Sequence, residues 1–148
     1  MAKRKVVLIG ENNLRKKCKP VKDFDEDLWE LLDDMKETMY ANDGMGLAAP
    51  QVGVLRRVVV MEVNNAFFEL INPEIISQKG EDIEEEGCLS VGNFSGRVKR
   101  PMEVTVKAFD RYGYPFTLKG EKWLARCICH ELDHLDGILF VDKSLDKD

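Results

Sequence analysis

The sequence predicts an α+β fold, with mostly antiparallel sheets packed around one central helix. Its 148 residues suit a single domain spanning residues 1–148. One segment in the amino-terminal half carries apolar residues at helical spacing, a second helix is predicted near the carboxyl-terminal end, and the region between them alternates strand-like segments with turn residues. Together these observations favour helices packed against an antiparallel sheet.

The first helix is predicted over residues 25–41. Its apolar side chains recur at the three- and four-residue spacing of one buried helix face, and they are Leu28, Leu31, Leu32, Met35 and Met39. Asp23 or Asp25 could cap the amino-terminal end, where the helix dipole favours acidic residues. Core packing accounts fully for this face.

The middle of the chain is predicted to consist of loops and strands. A loop rich in glycine and alanine is expected over residues 42–53. Strands are expected at Val58–Val63 and over residues 67–76, and Pro73 in the second strand indicates an edge position or a bulge. Residues 80–86 are expected to form a solvated acidic loop.

The carboxyl-terminal half is predicted to end in a second helix. Further strand is expected around Val98 and over residues 104–109 and 114–118, with a turn between the last two. The second helix is expected over residues 121–136, with Gly137 as its stop.

Charge and hydropathy argue against several classes of protein. A net charge of −5 argues against a broad nucleic-acid or anionic-membrane surface. The basic residues 1–4 are followed by an apolar run over only residues 6–9, too short for a signal peptide, and no run is long enough to span a bilayer. We therefore expect a cytoplasmic protein without membrane or direct nucleic-acid partners, whose four cysteines are thiols or ligands.

The second helix carries an HExxH motif at His130, Glu131 and His134. Residues four apart lie on the same helix face, so both imidazoles can reach one metal ion. Glu131 is rotated by about 100° from His130, where a general base is expected beside an open coordination position. Two exposed histidines on an ordinary helix are the alternative, but these are the only two histidines in the chain.

A catalytic site of this kind normally has three protein ligands. Phe140 stands where one HExxH class has its third histidine, and no glutamate follows His134. The third ligand should therefore come from upstream, where cysteines and carboxylates are candidates. Cys88 stands apart because Gly87 beside it permits close backbone approach. Cys127 could line the site, although packing as a small buried residue is favoured for it.

Three segments in this order resemble the peptide deformylases. They are GMGLAAPQ at residues 44–51, EGCLS at 86–90 and HELDH at 130–134, with further similarity at 14–15, 20–21 and 135–137. The resemblance covers nearly the whole chain. The chain departs from the family pattern at Gly92, Ser95, Trp123 and Cys129, none of which removes a ligand or a catalytic group.

The resemblance implies one divalent metal bound by Cys88, His130 and His134. In cells this is usually Fe²⁺, with Zn²⁺, Ni²⁺ or Co²⁺ as substitutes. The loop residues Gly44, Met45 and Gly46 are expected to bind the peptide substrate as an added strand.

The resemblance also implies Glu131 as general acid and base, with Gln51 and the backbone N–H of Leu89 stabilising the oxyanion. The implied reaction removes the formyl group from the formyl-methionine of new polypeptides and releases formate. The implied partner is the nascent formyl-methionyl polypeptide. A transient association with the ribosome is compatible with that partner. The candidates to orient the histidines are Glu86, Arg100 and Asp133.

Two other functions fit an HExxH helix. A metallopeptidase that cuts internal peptide bonds is disfavoured by the lack of a downstream ligand. A metal-binding or metal-sensing module is disfavoured because metal binding alone needs neither Glu131 nor Gln51.

Overall fold

The computed structural model describes residues 16–42, 44–87 and 95–138. In chain order its elements are α1 (Glu26–Ala41), β1 (Gly46–Ala48), a 3₁₀ turn (Ala49–Val52), β2 (Val58–Val63), β3 (Ala66–Lys79), β4 (Asp82–Gly87), β5 (Ser95–Arg100), β6 (Glu103–Phe109), β7 (Pro115–Glu121) and α2 (Trp123–Leu135). The apolar residues 6–9 lie outside the described ranges. No helix within those ranges is both long and apolar enough to cross a membrane.

The strands form two antiparallel sheets, which confirms the predicted fold class. The larger sheet has the order β1-β2-β3-β6-β7, and β4 pairs with β5 in a separate two-stranded sheet. Every pairing of these strands is antiparallel. β1 lies at an edge of the larger sheet, with β2 on one side of it.

Two clusters of apolar side chains cover opposite faces of the larger sheet. Alternate residues of a strand point to opposite faces, and β2 is buried on both. Val59 and Met61 pack in one cluster with α2, whereas Val58 and Val60 pack in the other with α1. The arginine contacts of the two-stranded sheet, described below, reach α2 from another side, so α2 is the central helix of the fold.

Both helices are confirmed, with adjusted ends. Asp25, and not Asp23, caps α1, because its side chain accepts a hydrogen bond of 3.2 Å from a backbone N–H of the first turn. α2 begins at Trp123, so the predicted start at residue 121 is wrong. Glu121 is the last residue of β7 and pairs with β6.

Two segments predicted as loops contain strands. Part of residues 42–53 forms β1 and the 3₁₀ turn. The prediction of a solvated loop over residues 80–86 is wrong, because β4 occupies most of this segment and pairs with β5. Glu86 is buried against Arg100 of β5, so a basic partner from the neighbouring strand compensates its charge.

Pro73 lies at a bulge, as predicted. The register of β3 against β6 shifts between Ile71 and Glu74. The edge position is wrong, because β3 lies between β2 and β6. Asn72, at the bulge, has φ +52° and binds both backbone groups of Val21, at 2.7 and 2.9 Å. The bulge therefore attaches the amino-terminal segment to the sheet.

Lys122 is strained immediately before α2, with φ +54° and ψ −119°. This conformation strongly favours glycine, because a Cβ atom meets the backbone there. Lys122→Gly should therefore raise the free energy of unfolding by about 1 kcal/mol, since relief of strain outweighs the extra freedom of the unfolded chain. Urea unfolding measures this change. Lys122→Ala is the control and should show no gain, because it keeps the Cβ atom; equal gains in both variants would contradict the strain explanation.

Candidate metal centre

Three side chains of α2 converge on one buried point. His130, Glu131 and His134 each offer a ligand atom, and these atoms lie within 4.8 Å of one another. All three residues are buried. The structure therefore brings together the HExxH residues as the helical spacing predicts.

The electrostatics of these side chains suit a divalent metal. Burial lowers the pKa of His134 well below its usual value, which keeps the imidazole in the neutral form that binds metals. Burial raises the pKa of Glu131 to about 7, against the opposing effect of His130. Glu131 Oε1 is buried and has no hydrogen-bond partner among the described residues. A cation beside these groups would compensate a carboxylate that the protein alone leaves poorly satisfied, so the residues fit the metal that the motif implies.

Glu86 orients the first histidine of the motif. Its Oε1 lies 2.8 Å from His130 Nδ1, so Nε2 is the ring nitrogen that can bind a metal. Burial on its own would raise the pKa of Glu86, but hydrogen bonds from His130 and Arg100 outweigh it and hold the pKa at about 2. Glu86 is therefore an anion that accepts a hydrogen bond from Nδ1–H and does not compete for the proton.

Arg100 joins the other two candidates for orienting residues. Its Nε and one terminal nitrogen donate to the two carboxylate oxygens of Glu86, both at 3.0 Å. Its other terminal nitrogen donates to Asp133 at 2.5 Å. Glu86, Arg100 and Asp133 thus lie in one hydrogen-bond network beside His130. This position is consistent with the prediction that they orient the histidines. Arg126 belongs to the same network and was missed, although its position four residues before His130 on α2 could have indicated it.

The glycine-rich segment lies directly beside Glu131. An ideal Cβ atom on Gly46 would lie 2.5 Å from Glu131 Oε2, so only glycine fits there without displacing the carboxylate. Met45 is half exposed, and its carbonyl oxygen lies 3.9 Å from the sulfur of Cys127. Cys127 is therefore close to the site, and it packs against the core cluster of α2 as a partly buried side chain, in line with the packing role favoured for it.

Gln51 is buried in the 3₁₀ turn that follows β1. Its Oε1 accepts a hydrogen bond of 2.9 Å from the backbone N–H of Ala48. This bond assigns Oε1 as the acceptor end of the amide and Nε2 as its donor end. Cys88 and Leu89 lie outside the described residues, so their roles stay predictions.

Comparisons with known proteins agree with this geometry. The family model described as polypeptide deformylase matches residues 3–148. A peptide deformylase of Caldicellulosiruptor bescii is 57% identical over 97% of this chain and 86% of its own, and one of Thermoanaerobacter pseudethanolicus is 52% identical over 98% and 91%. Crystal structures of peptide deformylases from Legionella pneumophila and Thermotoga maritima superpose with TM-scores of 0.94 each. Their identities are 47% and 40%, they cover 97% and 96% of this chain, and this chain covers 87% and 97% of theirs. The chain belongs to the polypeptide deformylase family.

Proposed function

We propose that this deformylase works as a single domain over residues 1–148, with a divalent metal held by Cys88, His130 and His134. It removes the N-formyl group from newly made polypeptides, as its family does. The observation that carries the site assignment is the position of Glu131, buried beside both histidines and directly against Gly46 of the edge strand. A bare metal-binding module has no need of that arrangement.

Two imidazoles and a thiolate fit a divalent transition metal. When bound, such a metal would lower the pKa of a water molecule and polarise the formyl carbonyl. The remaining chemistry belongs to the chain. Glu131 accepts a proton from the attacking water and returns it to the leaving amine, for which a pKa near neutrality suits it. Gln51 and the N–H of Leu89 donate hydrogen bonds to the formyl oxygen as negative charge develops on it.

The substrate peptide lies along β1. This strand is at the edge of the sheet, so the backbone groups on its outer side can pair with an extended peptide. Gly44 and Met45 lead directly into this strand, which begins at Gly46, and Gly46 leaves room for Glu131 beside the formyl group. The closeness of Gly46 to Glu131 supports this arrangement, because a peptide paired with β1 would lie next to the proposed proton-transferring side chain.

Formate release from formyl-Met-Ala-Ser tests the proposed function. We expect turnover with this peptide and no cleavage of an unformylated protein. Cleavage of internal peptide bonds would favour the metallopeptidase. Binding of one metal per chain without release of formate would favour the metal-binding module.

Fe²⁺ is the proposed resident metal, with Zn²⁺, Ni²⁺ or Co²⁺ as substitutes, and the proposed compartment is the cytoplasm, where nascent chains emerge. Transient association with the ribosome is compatible with that substrate. Anaerobically prepared protein should contain iron, and its formate release should exceed that of the zinc form. A faster zinc form would count against iron.

Gly46→Ala should slow formate release by about 10²-fold, the effect expected when a catalytic group is displaced by about 1 Å. The added methyl group would meet the Oε2 and Cγ atoms of Glu131, at 2.5 and 2.9 Å. Metal content should not change, because neither histidine is touched. Thermal unfolding of the same variant is the control, because an unchanged Tm shows that slower turnover does not come from a disturbed fold. Parental turnover of Gly46→Ala would remove Glu131 from its assigned place.

A further inference from the structure

We propose that Arg126 is a positioning residue for the metal centre, acting on His130 through Glu86. This inference rests on the proposed function, since it assigns a role in metal binding. Arg126 lies four residues before His130 on α2 and is 3% exposed. Its side chain bonds to Glu86 and to the carbonyls of Val98 and Asp82, and among the described residues it bonds to neither histidine, so its effect on the metal passes through Glu86.

The guanidinium of Arg126 bonds both strands of the two-stranded sheet. One terminal nitrogen donates to Glu86 Oε2 at 2.5 Å and to the carbonyl of Val98 at 3.0 Å. The other donates to the carbonyl of Asp82 at 2.8 Å. Glu86 and Asp82 belong to β4 and Val98 to β5. One side chain of α2 therefore bonds to both strands of the two-stranded sheet.

Two arginines donate hydrogen bonds to the carboxylate of Glu86. Arg100, from β5, binds both carboxylate oxygens, and Arg126, from α2, binds Oε2. Oε1 is thereby directed towards His130 Nδ1. Because a hydrogen bond at Nδ1 determines which ring nitrogen can bind a metal, the two arginines together set the orientation of this ligand.

Stability alone is a poor explanation for Arg126. Buried ion clusters often contribute little to folding, because desolvation offsets the attraction between the charges. Arg126 Nε is also buried without a hydrogen-bond partner among the described residues, and such groups are costly. Arg126 carries these costs and bonds to Glu86 from α2. The orientation that it imposes on Glu86 explains it better than stability does.

Binding of Co²⁺ to the metal-free protein tests the proposal. Arg126→Met should raise the dissociation constant about 10-fold, at the lower end of the range for residues that support metal ligands. Arg111→Met is the matched control, because Arg111 also binds two carboxylates, those of Asp33 and Glu69, and none of these bonds reaches α2. The control should bind Co²⁺ within about 2-fold of the parent.

Arg126→Lys separates geometry from charge and serves if the methionine variant does not fold. An ammonium group keeps the charge but cannot reproduce the planar fork that reaches Glu86 and both carbonyls. Its affinity for Co²⁺ should therefore also fall. Nitrogen NMR provides a second readout, because the chain has only two histidines. In the metal-free parent His130 should carry its proton on Nδ1, and in both Arg126 variants it should show a mixture of tautomers.

Failure of the proposed metal-dependent function can be distinguished from failure of the role proposed for Arg126. A parent protein that binds no Co²⁺ would refute the proposed metal-dependent function. If the parent binds Co²⁺ and the two Arg126 variants match it in affinity, only the role of Arg126 is refuted. The same conclusion follows if Arg111→Met weakens Co²⁺ binding as much as Arg126→Met, if the lysine variant has parental affinity, or if the tautomer of His130 does not change.

Discussion

Glu131→Ala should reduce formate release by about 10³–10⁴-fold while the protein keeps its metal. The reason is that, in the proposed mechanism, Glu131 serves both proton transfers, from the attacking water and to the leaving amine. No other carboxylate is placed to replace it among the described residues, because Glu86 is bound by Arg100 and Arg126. Metal analysis and formate release on the same preparation check both parts of the expectation.

The same variant should not lose thermal stability. Glu131 is buried, its Oε1 has no hydrogen-bond partner in the described part of the chain, and burial raises its pKa. Removing a poorly satisfied carboxylate offsets the small cavity that alanine leaves. A lower Tm together with lost metal would mean that Glu131 supports the site structurally, and near-normal turnover would exclude it as the acid and base.

Cys88→Ala should abolish tight metal binding and, with it, formate release. The described part of the site supplies two imidazoles, whereas catalytic centres of this type normally use three protein ligands. Glu86, two residues before Cys88, contacts His130, which brings the end of β4 close to the metal helix. The sequence and this contact together support Cys88 as the third ligand.

Cys127→Ala is the control for that experiment. Its thiol is also near the site, 3.9 Å from the carbonyl of Met45. Burial raises the pKa of Cys127 well above its usual value, which disfavours the thiolate that binds metals. This variant should therefore keep one metal per chain. Equal metal loss in both variants, or full metal content in Cys88→Ala, would overturn the ligand assignment.

Local patterns predicted the parts of this molecule that depend on local geometry. The spacing of Leu28 to Met39 determines one face of α1, and the HExxH spacing places both histidines on one side of α2. The apolar run of β2 was recognised for the same reason. In each case the partner residues lie within a few positions of one another, so periodicity is sufficient.

Features that depend on distant partners were predicted less well. The acidic segment of β4 resembles a solvated loop because its compensating charges come from elsewhere, Arg100 lying 14 residues and Arg126 lying 40 residues from Glu86. The requirement for glycine at position 46 arises from Glu131, far along the chain. The family resemblance marked that segment as important, but the physical reason is a tertiary contact.

If the substrate pairs with β1 as proposed, the shortness of this strand limits how much of a nascent chain it can contact. A strand of three residues spans about 10 Å, so it can pair with only the first few peptide units of a bound polypeptide. Backbone pairing does not discriminate among side chains, and residues further along the polypeptide make no contact with this strand. Under that proposal β1 recognises only the backbone of the first residues, so discrimination among side chains must come from other parts of the site.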